Sequence, residues 1–144
     1  MEYISAEEFL KQPKEVQEVF RDWWEPSAGD LYLYYSTYNN QQDNIAVINK
    51  QLEVFPRFKN DIKEFGYQLL TEGQLRKFIE DKTGCKLFIE YYNGSDILIR
   101  FMKANKEIKS YMFYNCNDLL RAYWKVACEI AKEELSYDKA RTES

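Results

Sequence analysis

Histidine is absent from this chain of 144 residues. The side chain that titrates near neutral pH and most often ligates metals is therefore missing, which excludes Ser-His and Cys-His nucleophile pairs and most zinc sites. Cysteine is scarce and odd in number. Cys85, Cys116 and Cys128 stand far apart among apolar neighbours, a pattern that fits buried thiols in a reducing compartment rather than a disulfide framework. Five Gly and three Pro fall below the usual shares of about 7% and 5%. Little of the chain is spent on loops, and no Gly-rich phosphate loop can be drawn. No apolar run approaches the roughly 18 residues needed to cross a bilayer, and the opening "MEYISAEEFLKQPKE" lacks a basic segment followed by an apolar one. These absences predict a cytoplasmic protein with no membrane contact, no metal and no cofactor.

Aromatic residues are plentiful: twelve Tyr, nine Phe and three Trp make up 17% of the chain. Tyrosine has an apolar body and a polar tip, so it suits half-buried sheet faces and interfaces. A net charge of −4 argues against a general binder of nucleic acid or anionic membrane, which needs a concentrated positive field. The length and the absence of a linker predict a single globular domain, residues 1–144.

The order of elements follows from periodicity. Ser5 and Glu8 form a capping box at a helix start, and Pro13 suits the first turn of a second helix. Val16, Val19, Phe20, Trp23 and Trp24 then recur on one helical stripe, which Glu25-Pro26 ends. "DLYLYYS" switches to period two, with "NIAVINK" as its expected partner across a polar loop. Phe58, Ile62, Phe65 and Leu69 suit a helical face, although Pro56 and Gly66 interrupt the neighbourhood. "LLTEGQLRKFIEDKTG" reads as a helix with a capping box at Thr71 and Gln74, an apolar face of Leu75, Phe78 and Ile79, and a terminator at Gly84. Three alternating runs from Cys85 to Tyr114, broken at Asn93-Gly94 and at "KANK", predict an antiparallel meander. A last helix carries Leu120, Trp124, Ala127, Ala131 and Leu135 on one face. The expected fold is α+β: an antiparallel sheet of about five strands, the C-terminal meander included, covered by N-terminal, central and C-terminal helices.

Catalytic constellations are sparse. The sharpest is nuclease-like, Asp96 with Glu107-x-Lys109, but a turn near Ala104 and Asn105 places the two carboxylates about 20 Å apart along the strands, too far for one cation. No enzyme is predicted. Charge is uneven, however. Residues 1–30 hold eight acidic residues against three basic, whereas residues 85–114 hold five basic against three acidic. Arg100, Lys103, Lys106, Lys109 and Tyr111 could thus form a basic aromatic sheet of the kind that stacks single-stranded nucleic acid.

The stretches "EEFLKQPKEVQEVFRDWWEPSAGDLY", "LLTEGQLRKFIEDKTG" and "LLRAYWKVACEIAKEE" together resemble a group of small proteins encoded by phages and prophages of clostridia and related Gram-positive bacteria. The resemblance brings no catalytic residues. It implies a genome context in which small non-enzymatic proteins act by binding, as inhibitors of host defence, modulators of host enzymes or assembly helpers. The leading expectation is therefore an accessory protein in the host cytoplasm with a host protein as partner, possible forms including an inhibitor of a defence system. Its contact patch is placed on Trp23, Trp24, Tyr32 and Tyr34, with the leucines of that strand in the core. Alternatives are coverage of the same patch by a second helix or by a homo-oligomer partner, a nucleic-acid-binding module, and a small-ligand protein with a Tyr-lined pocket.

Overall fold

A computed structural model describes residues 2–34, 44–50 and 56–143. The fold is α+β, with five helices and six strands among the described residues, the strands forming two three-stranded antiparallel sheets. The chain divides into two compact units, residues 4–70 and residues 1–3 with 71–144.

The first unit begins with α1 (Ala6–Leu10) and α2 (Lys14–Trp23). Ser5 Oγ accepts the Glu8 N–H at 3.2 Å, which satisfies one of the free donors of the helix start. The Glu8 carboxylate lies 3.5 Å from Lys11 Nζ, so the cap is a one-sided form of the expected box. Pro13 is the N-cap of α2. Val16, Val19, Phe20 and Trp24 are buried as the stripe requires, and Phe9 meets Phe20 edge to face at 6.1 Å.

Strands β1 (Leu31–Tyr34) and β2 (Asn44–Val47) pair antiparallel, Leu31 opposite Val47 and Leu33 opposite Ile45. The polar loop expected between them lies outside the described residues. Helix α3 (Pro56–Phe65) runs without a loop into β3 (Gly66–Leu69), which pairs with the other side of β1. The expected helical face of Phe58, Ile62, Phe65 and Leu69 is thereby corrected: Leu69 belongs to a strand. Pro56 opens the helix and Gly66 closes it, so the two interrupting residues mark boundaries. The close junction needs glycine, because a Cβ at Gly66 would lie 2.9 Å from the Ile62 carbonyl oxygen. Trp24, Ile48 and Ile62 form a core cluster against which Trp23 and Tyr32 pack.

The second unit opens with α4 (Glu72–Thr83). The Gln74 N–H donates to Thr71 Oγ1 at 3.4 Å while Gln74 Oε1 accepts the Thr71 N–H at 3.0 Å, completing the reciprocal box. Gly84 terminates the helix at φ 71° with its N–H on the Glu80 carbonyl. The meander follows as β4 (Lys86–Tyr92), β5 (Asp96–Lys103) and β6 (Lys106–Phe113), in sheet order β4-β5-β6. Positive φ at Asn93, Gly94, Ala104 and Asn105 lets both turns close tightly. Ile97, Ile99 and Phe101 form a fully buried inner face. Helix α5 (Leu119–Glu143) covers it, with Lys125 above Phe113 and Lys109 paired to Glu133. Leu75, Phe78, Ile79, Leu120, Trp124, Ala127 and Ala131 are all buried, as their periodicity predicts. Leu135 is partly exposed.

Candidate protein-contact surface

The patch expected on the first unit is largely consumed by its own core. Trp24 is only 3% exposed. Its indole N–H donates to Asp30 Oδ2 at 2.9 Å, and the same oxygen accepts the Ser27 N–H at 3.1 Å. Trp23 is half-buried at the border of the stripe. Tyr32 does not point outward as the leucine-in reading required. It packs toward Trp24 and Ile62, because the sheet carries core on both faces: Leu33 and Leu69 are buried on one side and Gln68 on the other. Tyr34 is the last residue of β1, and its side chain lies outside what is described.

The five residues of the basic aromatic reading are divided by strand parity. Successive side chains alternate between sheet faces, and the register sets Arg100 opposite Ser110 and Lys109 opposite Phe101. Lys109 and Tyr111 therefore lie on the helix-covered side. Lys109 Nζ stands 5.1 Å from the Phe101 ring centroid and 5.5 Å from that of Tyr111, with Glu133 Oε2 at 3.2 Å. Its pKa is raised despite partial burial, by hydrogen bonding to Glu133 and by nearby negative groups. Arg100 faces the other way, between Glu90 at 3.4 Å and Glu107 at 3.7 Å. Only Lys103 and Lys106 remain as exposed cations at the β5–β6 turn. The structure does not assemble these residues into one basic face.

The nuclease-like set is dispersed as well. Glu107 pairs with Met102, six positions along β5 from Asp96, a separation of about 20 Å. Asp96 accepts the Asn115 N–H at 2.9 Å. Among the described residues no group of three or more potential ligating side chains converges on a metal position. A cleft of about 400 Å³ in the first unit is lined by Glu18, Arg21, Asp22, Asn60, Lys63 and Glu64, with Arg21 donating to the Lys63 carbonyl. No tyrosine lines it. Burial pushes the Cys128 thiol up to about 12, which makes it a poor nucleophile. No described helix is long and apolar enough to cross a membrane.

What the structure does assemble is the outer face of the meander. Phe88 is 56% exposed there, across from Arg100, and Met112 and Tyr92 are exposed nearby. Leu98 lies between Glu90 and Met112 on the same face. The Tyr92 hydroxyl donates to Glu90, which together with the negative charge of that carboxylate raises the Tyr92 pKa. Apolar side chains thus surround a triad of Glu90, Arg100 and Glu107, whose net charge is negative. Sequence reasoning missed this surface because periodicity marks two faces of a strand without saying which one the helices take. Phe88 and Met112 were visible as members of alternating runs and carried no further signal.

Comparison of the chain with family models, with curated proteins and with solved structures returned no match.

Proposed function

We propose that the protein works by binding another protein, not by catalysis, and that the outer face of β4, β5 and β6 is its contact surface. The observation that carries this reading is the exposure of Phe88, Tyr92 and Met112 around the Glu90, Arg100, Glu107 triad. Aromatic side chains and arginine are the residue types that dominate binding energy at protein interfaces. The resemblance of the three sequence stretches supports a phage or prophage accessory protein that engages a host protein in the host cytoplasm, an inhibitor of a host defence system being its most specific form.

The test is affinity capture from a Gram-positive host lysate with the full chain as bait, with and without nuclease. Specific protein capture that survives nuclease and is lost in the double variant Phe88→Asp, Met112→Asp is expected. Both positions are exposed, so the variant should keep its melting temperature. Capture that persists in the double variant, or that depends on nucleic acid, would overturn the reading.

A further inference from the structure

We propose that the open edge of β4 receives an extended strand of the protein partner, carrying a basic residue beside Glu90 with apolar residues on either side. The inference rests on the reading of the meander as a contact surface and assigns its mode of recognition.

The hydrogen-bond pattern of β4 identifies the open positions. Leu87 gives its N–H to Glu80 Oε2 at 3.1 Å, and its carbonyl accepts from the Arg76 guanidinium at 2.8 Å. Both groups of Leu87 therefore point away from β5. In an antiparallel pair such outward residues alternate with inward ones, so the N–H and C=O of Ile89 and Tyr91 also point to the outside. Two side chains of α4 act as a short substitute strand at Leu87. Arg76 and Glu80 are held to each other at 3.5 Å, so the closed end of the edge is fixed. Beyond it the backbone of Ile89 and Tyr91 offers the spacing that an added strand uses. Tyr91, 63% exposed, stands beside those groups, and Phe88 and Tyr92 are exposed on the adjoining outer face.

The opposite edge is less suited. The register of β5 with β6 shifts between Phe101 and Met102, and a bulge blunts an edge by breaking its repeat.

Charge and register select the occupant. Glu90 and Glu107 share the single cation Arg100, so a cation arriving beside Glu90 would neutralise the remaining charge. A second copy of β4 fits poorly. Antiparallel pairing centred on Glu90 sets two carboxylates opposite each other, which is destabilising. Centring on Ile89 requires the groups of Leu87 that Arg76 and Glu80 already hold. Centring on Tyr91 sets Ile89 against Asn93, whose φ of 53° takes it out of the extended conformation.

The experiment selects displayed short random peptides on the full chain and follows the selected peptides by amide hydrogen exchange. Enrichment of a basic residue flanked two positions away by apolar ones is expected, with the Ile89 and Tyr91 amides fast in the free protein and protected on binding. Tyr91→Val keeps the outward N–H and should bind with little change. Tyr91→Pro removes it without touching the ladder to β5 and should weaken binding about tenfold. Glu90→Lys should shift the selected peptides from basic to acidic. Peptides that lose affinity in Met112→Asp but not in Tyr91→Pro would sink the strand-addition proposal and leave the outer face as the contact surface. Peptides indifferent to both substitutions would remove both readings. Protection of Ile89 and Tyr91 that grows with protein concentration in the absence of peptide would assign the edge to self-association and overturn the proposal.

Discussion

Trp24 and Asp30 are joined across the turn between α2 and β1, the indole N–H lying 2.9 Å from Oδ2 of the carboxylate. Because the tryptophan is buried, losing the acceptor would leave a donor without water. Asp30→Ala is expected to cost about 1–3 kcal/mol in urea unfolding. Asp30→Asn, which retains an acceptor oxygen, should cost less, and Trp24→Phe should rescue part of the Asp30→Ala loss because it removes the stranded donor.

Gln68 presents the reverse case. It is 2% exposed on β3, and neither its amide nitrogen nor its amide oxygen has a hydrogen-bond partner among the described residues. Replacing an unsatisfied buried carboxamide by an apolar side chain of similar length removes a desolvation penalty. Gln68→Met should therefore raise stability by roughly 1–3 kcal/mol, read as a higher urea midpoint at unchanged slope.

Alkaline pH should expose two buried acids in α5. Burial lifts Tyr123 from 10.0 to about 12 and Cys128 from 9.0 to about 12. The folded state favours their neutral forms, so their contribution is fully present below pH 9 and is lost as the pH climbs through 9 and 10 toward 12. Tyr123→Phe should flatten the loss between pH 10 and 12 in a series of chemical melts. In the native protein, tyrosinate absorbance should include a contribution from Tyr123 that appears only toward pH 12, and Cys128 should resist maleimide until unfolding.

Gly66→Ala tests the direct passage from α3 to β3. The new methyl would sit 2.9 Å from a backbone oxygen of Ile62, which cannot swing aside as a side-chain tip could. A loss of about 1–3 kcal/mol is expected in thermal unfolding.

Magnesium or manganese should produce no saturable heat in calorimetry with the full chain. Asp96 is engaged by the Asn115 N–H and Glu107 by Arg100, at levels of the sheet about 20 Å apart. Micromolar binding that vanished both in Asp96→Ala and in Glu107→Ala would show that the two carboxylates meet after all.

Locally encoded features were legible in the sequence. Thr71, Gln74 and Gly84 delimit α4, and Asn93-Gly94 and Ala104-Asn105 turn the meander, because caps and tight turns depend on neighbours a few residues apart. The short strand Gly66–Leu69 was not legible: four residues with mostly buried side chains show no alternation. The fate of Tyr32 depended on α3 arriving over it, and that of Lys109 on which face α5 would cover. The candidate contact surface was hidden for the same reason. Arg76 and Glu80 looked like an ordinary pair one turn apart on a helix, and their engagement of Leu87 belongs to tertiary structure.

The Ile4 N–H donates to the Leu70 carbonyl at 2.8 Å, and Tyr3 and Thr71 form a bridge just outside it. Residues 4–70 are thus a closed excursion whose entrance and exit are side by side, the arrangement of a cassette that can be spliced into a host chain at a single loop. The clasp joins residues far apart in sequence, so closing it carries the loop-closure entropy of the whole segment. A graft of this segment between two neighbouring strands of an unrelated scaffold would need no long linkers, since its ends already meet at the spacing of one antiparallel pair.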